Sequence, residues 1–214
     1  FRCDGTPAKD VLEGILAGNE DLVHYMTLDN ASVGVAIDIQ DANLSKPEVR
    51  QAIAYILNRD AIREVGNYYG TTATYATAGM PESYIRTDGW INEETLAKMT
   101  VFTTNHDKAT ELLNSVGWTK KDDGWYNEND EKISWTTITT ADFQFLNAAQ
   151  VFSQQLTAFG LNTELKVLEG AVMSSMYTEE GDREYEFACN WIDNCWGLFC
   201  PYGPLQEGYF SGAF

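Results

Sequence analysis

Basic residues are scarce in this sequence. The 14 Lys and Arg residues stand against 32 Asp and Glu residues, which gives a formal net charge of −18 at pH 7. A surface that binds nucleic acid needs lysines and arginines to contact the phosphates, and a surface that docks on anionic lipid needs a similar cluster. The composition therefore argues against both classes of partner. The negative charge is compatible with solubility and with the attraction of cationic ligands.

Catalytic signatures are also lacking. His24 and His106, the two histidines of the chain, are far apart in the sequence. There is no His-Glu-x-x-His zinc motif, no phosphate-binding glycine loop and no Gly-x-Ser-x-Gly motif. Pairs of carboxylates are expected by chance at this acidic content, so a hydrolase that uses two carboxylates has no specific support. The polar turn over 120–131 lacks the offsets of an EF-hand and predicts a solvated hairpin. We therefore expect no enzymatic activity, no cofactor and no metal site.

Long apolar runs are absent, so the sequence predicts no transmembrane helix, and no signal peptide is recognisable. Because the chain begins Phe-Arg-Cys, we expect a processed or excised piece of a longer product. Four cysteines, Cys3, Cys189, Cys195 and Cys200, permit three pairings. The spacing of Cys195 and Cys200 is too wide for a thioredoxin-like pair. A local disulfide between these two in an exported protein and ordinary free thiols both stay open.

A hydrophobic content of 44% with 13% aromatic residues predicts a folded globular chain. Apolar residues recur at the strand period of two in some stretches and at the helical period in others. These patterns predict strands over 21–26, 32–39, 133–139, 161–167 and 185–191, and helices over 7–17, 47–57, 61–65, 106–116, 141–159 and 171–177. Asn105 is predicted to cap the helix over 106–116, and Gly160 to end the helix over 141–159. Their alternation predicts the α/β class, with a mixed sheet flanked by helices.

The helix pair over 43–65 has the clearest local signals. Ser45 and Glu48 predict a capping box, and Pro47 suits the first helical turn. Asn58 or Asp60 is predicted to begin the second helix. These features alone predict no more than a helical hairpin in the core.

Four stretches together resemble a known family. They are "SKPEVRQAIAYILNRDAI" with the following "NYYGTTATYA", "NHDKATELLNSVGW" and "QVFSQQLTAFGLNTELKVLE". They resemble the solute-binding proteins of peptide-type ABC transporters, the oligopeptide, dipeptide and nickel-binding family (extracellular solute-binding protein family 5). The resemblance is nearly continuous from Val33 to about Gly212 and covers the second lobe of a family member. The string "AKDVLEGILAGNEDLV" resembles a unit of the first lobe.

The resemblance implies one lobe of a periplasmic-binding-protein-like two-lobe fold. Residues 1–31 would be a remnant of the first lobe and its connection, and residues 32–214 the ligand-binding second lobe. The implied function is the capture of a peptide-type solute between two lobes and its delivery to the permease of an ABC importer. The protein would be extracytoplasmic, in the periplasm or as a cell-surface lipoprotein, and monomeric. Alternatives are an oligosaccharide receptor of the same fold and a secreted hydrolase. Two histidines argue against direct coordination of a transition metal.

The aromatic segment over 186–204 is the candidate ligand site. A strand that ends at Trp191 is predicted to run into a loop with Asp193, Asn194 and Trp196, and ligands of open α/β sheets gather beyond the carboxyl ends of strands. Aromatic walls with one carboxylate suit an ammonium group. The alternative is that the tryptophans belong to the core and Asp193 to a turn. Tyr69, in the aromatic segment that follows the helix pair, is predicted to line the same cleft.

The family resemblance adds a role for the carboxylate. Peptide-binding members often read "GW-AD" here, and their aspartate receives the ammonium of the peptide's N-terminus. In this sequence Asn190 replaces the glycine, and Asp193 stands one position early. Either Asp193 takes that role through a shifted turn, or Asn194 stands in its place as a neutral acceptor, which cannot neutralise an ammonium.

Overall fold

Helices lie on both faces of a four-stranded sheet in the computed structural model, which describes residues 9–23, 25, 31–72, 92–178 and 183–194. The helices are α1 (Lys9–Ala17), α2 (Pro47–Ile56), α3 (Arg59–Gly66), α4 (Glu93–Leu96), α5 (His106–Ser115), α6 (Phe143–Phe159) and α7 (Gly170–Thr178). The strands are β1 (Ala31–Ile37), β2 (Thr119–Lys121), β3 (Gly124–Tyr126), β4 (Ser134–Thr140), β5 (Asn162–Leu168) and β6 (Phe187–Asn194). The predicted α/β class with a mixed sheet is confirmed.

The sheet has the strand order β1-β6-β4-β5. Strand β4 is parallel to both β5 and β6, whereas β1 and β6 are antiparallel. Helix α6 connects β4 to β5, as a crossover between parallel neighbours requires. As a result, the last residues of β4, β5 and β6 and the first residue of β1 lie along one edge of the sheet. We call this the carboxyl edge.

The main core lies between the sheet and α6. Phe187 of β6 receives the rings of Trp135 and Phe152 edge to face, at centroid distances of 5.3 and 5.2 Å. Helices α2 and α5 extend this core through Ile53 and Leu113, both of which are buried. On the opposite face, α7 packs over a smaller cluster made by Ile138, Met173, Tyr185 and Ala188. Both faces of the central strands are therefore covered, as expected for parallel strands.

The hairpin of β2 and β3 docks on the end of α6. Gly160 ends that helix, as the sequence predicts, with a left-handed φ of 104°. Its carbonyl oxygen accepts a hydrogen bond of 3.0 Å from the backbone N–H of Trp125. A Cβ atom at Gly124 would lie 3.0 Å from the same carbonyl oxygen, so this close approach requires glycine. The hairpin predicted over 120–131 is confirmed and its turn is exposed, but Trp125 and Asn127 within it are buried.

The predicted capping box of α2 is wrong. The hydroxyl of Ser45 donates to the carbonyl oxygen of Ala42 at 2.8 Å instead of capping the helix. Asp41 stabilises a turn just before the helix, because its Oδ1 accepts hydrogen bonds from the N–H groups of Asn43 and Leu44 at 3.0 and 2.8 Å. A competing local hydrogen bond has therefore displaced the cap. Two other predicted caps form: Asn58 accepts from the N–H of Ala61, and Asn105 accepts from the N–H of Lys108.

The strand predicted over 21–26 does not form at residues 21–23 and 25. Leu22 and Val23 are exposed there. An alternating pattern becomes a strand only where a neighbouring strand supplies hydrogen bonds, and the described residues provide none for this stretch.

Glu186 lies just before β6 and forms two hydrogen bonds with one residue of β4. Its Oε2 accepts from the N–H of Thr136 at 2.5 Å, and its own N–H donates to the carbonyl oxygen of Thr136 at 3.1 Å. Burial raises the pKa of the Glu186 carboxyl, and the nearby carboxylates Asp41 and Asp38 raise it further, while the bond from Thr136 opposes the shift. The ionised form of Glu186 therefore destabilises the fold at neutral pH.

We expect Glu186→Gln to raise the free energy of unfolding at pH 7, because the amide oxygen can accept the same bond without a charge. The gain should shrink as the pH falls through the raised folded-state pKa towards the ordinary glutamate pKa of about 4.3, where the wild-type carboxyl is protonated in both states. Urea unfolding between pH 4 and 7 measures this difference. Glu164→Gln, on the exposed part of β5, is the control and should change little. A Glu186→Gln protein that is less stable than wild type at pH 7 would contradict the assignment.

Gly66 sets how closely α3 approaches α6. A Cβ atom at this position would lie 3.0 Å from the carbonyl oxygen of Gln144 and 3.3 Å from the Cβ of Ala148. We expect Gly66→Ala to lower the free energy of unfolding by about 1–3 kcal/mol, since the helix must move away from its neighbour. Gly170→Ala is the matched control, because a Cβ there meets nothing within 4 Å. Equal stability of the two variants in urea would show that the helices can separate at no cost.

Candidate functional site

The carboxyl edge collects the ends of three parallel strands and the start of α6. The register places Thr139 of β4 opposite Cys189 of β6 on one side and Val167 of β5 on the other. Trp191 lies two residues beyond Cys189, and Glu169 lies two residues beyond Val167. Both therefore stand at the end of the sheet, where open α/β sheets bind ligands.

Trp191 lies inside a strand and not at its end. Strand β6 continues to Asn194, because β1 supplies an antiparallel partner that pairs Val33 with Trp191 and Ala31 with Asn194. The prediction that the strand ends at Trp191 and that Asp193 and Asn194 lie in a loop is therefore wrong. Both residues occupy the last part of β6, at the carboxyl edge. The ladder also has a register irregularity between Ala31 and Ser32, at its very end.

The Trp191 ring is held against the core on one side only. It meets Phe145 of α6 edge to face, with a centroid distance of 5.2 Å and an interplanar angle of 88°. Phe145 is buried, and its carbonyl oxygen accepts a bond of 3.5 Å from the thiol of Cys189. Burial raises the pKa of that thiol to about 12, so Cys189 stays protonated at physiological pH. The Trp191 ring is thus held by Phe145, while part of the side chain is exposed to solvent.

Large apolar side chains from four elements are exposed around this edge. Phe143 of α6, Val167 of β5, Val172 of α7 and Trp191 of β6 are 46%, 49%, 48% and 36% exposed. We call these four residues the apolar rim. Exposed apolar side chains from several elements at one end of a sheet are typical of a surface that contacts another molecule or domain. The exposure of Val167 could not be read from the sequence, because its alternation with Leu161, Thr163 and Leu165 predicts a buried face.

Tyr69 lies in the segment that follows α3. The last residue of α3, Gly66, packs on Gln144 and Ala148 of α6. The Tyr69 ring lies 4.3 Å from that of Tyr68, and the carbonyl oxygen of Tyr68 accepts a bond of 3.1 Å from the guanidinium of Arg63. Gly66, three residues before Tyr69, and Trp191 therefore pack on the same end of α6.

The carboxyl edge carries negative charge. Asp142 accepts a hydrogen bond of 2.7 Å from the hydroxyl of Thr140, and Glu169 is exposed after β5. Asp193 belongs to the same edge through its place in β6. Within the described residues that directly follow β4 and β5 and in the last four residues of β6, there is no lysine or arginine. This edge therefore favours a cationic group over an anionic one.

Part of the predicted site lies outside the described residues, namely Trp196 and the possible disulfide partners Cys195 and Cys200, together with Cys3. Cys189 is a buried free thiol. Among the described residues, no group of His, Cys, Asp and Glu side chains could hold a metal ion. No helix in the described ranges is long and apolar enough to cross a membrane.

A groove of about 380 Å³ lies at the opposite edge of the sheet. It includes Ser134 and Asn162, the first residues of β4 and β5. The groove is therefore remote from the apolar rim and forms no part of the candidate site at the carboxyl edge.

Comparison with known proteins supports the binding-protein interpretation. Residues 5–195 match the model of the bacterial extracellular solute-binding proteins, family 5 Middle. A search of curated proteins gave no match. Among solved structures, an oligopeptide-binding protein of an ABC transporter from Thermotoga maritima aligns with a TM-score of 0.65 and 21% identity over 83% of this chain and 33% of its own.

Two other solved structures show the same fold. AppA from Bacillus subtilis, in complex with a nonapeptide, aligns with a TM-score of 0.58 and 17% identity over 76% of this chain and 33% of its own. NikZ from Campylobacter jejuni, in complex with Ni(L-His), aligns with a TM-score of 0.64 and 13% identity over 85% of this chain and 33% of its own. The chain thus spans about a third of the length of these proteins.

The family model covers most of the chain, and the structural likeness agrees with it. Its relatives are solute-binding proteins and not enzymes. The chain belongs to family 5 of the bacterial extracellular solute-binding proteins.

Proposed function

We propose that this chain is one lobe of an extracytoplasmic receptor that binds a peptide-type solute at the carboxyl edge and delivers it to an ABC permease. The apolar rim carries the proposal, because it exposes side chains of four elements at the edge where β1 begins and β6 ends. A second lobe would close over this surface and bury the ligand between two walls. The receptor would act as a monomer, in the periplasm or as a cell-surface lipoprotein.

We further propose that residues 1–31 belong to the first lobe and residues 32–214 to the second. Helix α1 supports this division, because it contains no buried residue and exposes Val11 and Ile15. A helix that exposes apolar side chains and buries none fits an element with further neighbours elsewhere in the receptor. For the cysteines, we propose the local Cys195–Cys200 disulfide, since Cys189 is buried as a free thiol.

The favoured ligand carries a free amine. Asp142, Glu169 and Asp193 make the carboxyl edge acidic, and the exposed surface of Trp191 can attract a cation. We assign Asp193 to the ligand's ammonium group and place Trp191, Trp196 and Tyr69 in the surrounding wall, with Asn194 as the alternative polar contact. The half-exposed ring of Trp191 also suits the face of a sugar, so an oligosaccharide is the second candidate. The Thermotoga maritima protein has also been solved with bound mannohexaose.

We expect Trp191→Ala in the two-lobe receptor to weaken ligand binding by about 30-fold, or about 2 kcal/mol, since a central aromatic contact is lost. Isothermal titration calorimetry with the receptor's ligand measures this change. The control is Ile39→Ala, which removes another exposed apolar side chain just after the far end of β1. If both variants bind like wild type, the apolar rim is not the ligand surface.

We expect Asp193→Asn to weaken binding of a free-amine peptide by well over tenfold. In a closed cleft, removal of one partner of a charged pair costs about 2–5 kcal/mol, because the other charge stays buried. The same variant should scarcely change binding of the N-acetylated peptide, which wild type should already bind poorly. Calorimetry with both peptides separates the two effects.

The control for this charge is Asp107→Asn in the first turn of α5, next to His106, which contacts Phe159 at the opposite end of α6. It should leave affinity unchanged. If Asp193→Asn binds normally and Asn194→Ala does not, the neutral acceptor is the contact and the oligosaccharide becomes the preferred ligand.

A further inference from the structure

A second binding site is suggested by the groove at the amino ends of β4 and β5. Its volume of about 380 Å³ lies within the range of small-ligand pockets, and it is lined by Asp123, Lys132, Ser134, Thr157, Gly160 and Asn162. The β2–β3 hairpin contributes its turn residue Asp123, and the end of α6 contributes Thr157 and Gly160. This site is separate from the carboxyl edge and does not depend on the function proposed there.

A buried donor without a partner lies behind Gly160, one of the residues that line this groove. The side chain of Trp125 is 0% exposed, and its Nε1–H has no hydrogen-bond partner among the described residues. Buried N–H groups are normally paired, so this one requires an explanation. A Cβ atom on Gly160 would lie 3.3 Å from Cδ1 of Trp125, the atom bonded to Nε1. Because residue 160 is glycine and lines the groove, no side chain there separates the N–H edge of the indole from it.

The side chain of Lys120 also lies close to Gly160. Its Cε would lie 3.5 Å from a Cβ atom on Gly160. Its ammonium is 5.1 Å from the ring centroid of Phe159 and 6.0 Å from that of Trp125, over two rings that are themselves stacked. No carboxylate of the described residues pairs with this ammonium. Lys120 is exposed, so its flexible stem can swing aside and open a path to Nε1.

The carboxylate of the groove is already neutralised. Asp123 accepts a hydrogen bond of 2.8 Å from Lys132 and bonds of 3.2 and 3.1 Å from the hydroxyl of Tyr126. The bond from Lys132 is the main reason why the pKa of Asp123 is lowered. The unmatched groups at the Gly160 end of the groove are therefore two donors, the ammonium of Lys120 and the indole N–H of Trp125.

We propose that this groove binds the carboxylate group of a small molecule, held by the ammonium of Lys120 and the Nε1–H of Trp125. One oxygen replaces the missing acceptor of the buried N–H, and the negative charge pairs with the lysine. Ser134, Thr157 and Asn162 offer hydroxyl and amide groups to the rest of such a ligand. Charge-assisted hydrogen bonds of this kind are the stronger ones, which favours a carboxylate over a neutral acceptor.

The test is a titration of the ¹⁵N-labelled 214-residue chain with sodium acetate at pH 7 and constant ionic strength, followed by the indole N–H signals in a proton–nitrogen correlation spectrum. We expect a saturable downfield shift of the Trp125 signal. The Trp118 signal should stay in place, because its Nε1 already donates to Glu128 at 3.1 Å. Trp125→Phe identifies the signal by its loss, and backbone-linked assignment serves if that variant does not fold.

Lys120→Met keeps the stem and removes the charge, and we expect it to weaken the acetate response at least fivefold. Lys98→Met, which removes an exposed lysine two residues after α4, should leave the response unchanged. The proposal is overturned if acetate causes no saturable shift of the Trp125 signal, or if Lys120→Met responds like wild type. It is also overturned if glycerol at the same concentration shifts the signal as much as acetate does, because the site would then accept any oxygen.

Discussion

Helix α6 packs across the sheet, and both ends of the domain depend on this contact. Phe152 and Leu156 in its middle are buried against the face that carries Trp135 and Phe187. At its first turns, Phe145 supports Trp191 and Gln144 faces Gly66 of α3. At its last turn, Gly160 receives the β2–β3 hairpin. One rigid helix therefore positions the candidate ligand surface at one edge of the sheet and the groove beside Trp125 at the other.

The antiparallel pairing of β1 with β6 also determines which residues lie at the carboxyl edge. It extends β6 to Asn194 and holds the first residue of β1 beside it. The chain thus enters and leaves the sheet at the edge where the parallel strands also end. In a two-lobe receptor this is the place from which the other lobe can be reached by short connections. A ligand bound there would contact both lobes, which agrees with the position of the apolar rim.

The carboxylates at the two edges of the sheet differ in burial, and their negative charge therefore has different consequences. At the carboxyl edge, the carboxylates of Asp142 and Glu169 are exposed and can attract a cation at little desolvation cost. At the opposite edge, the carboxylate of Glu186 is partly buried with Asp38 and Asp41 nearby, and its pKa is raised. Arg183 lies 3.4 Å from the buried Asp38 there and partly compensates this negative charge. In the proposed receptor, the acidic residues would therefore attract a ligand at one edge, whereas Glu186 destabilises the fold at the other.

The sequence by itself determined the class of the fold and most of its elements, because apolar periodicity and caps such as Asn58 and Asn105 depend on neighbours in the chain. The tertiary structure decided the features that depend on distant partners. Asp41 displaced the Ser45 cap, residues 21–23 and 25 have no neighbouring strand in the described part of the chain, and β1 extended β6 beyond Trp191. The same distinction applies to the candidate site. An aromatic segment with Asp193 near a strand end could be recognised from the residues alone. The exposure of Val167 could not, nor could the buried N–H of Trp125, which has no partner among the described residues. Whether a side chain is buried, and whether its polar atom finds a partner, is set by groups that lie far away along the chain.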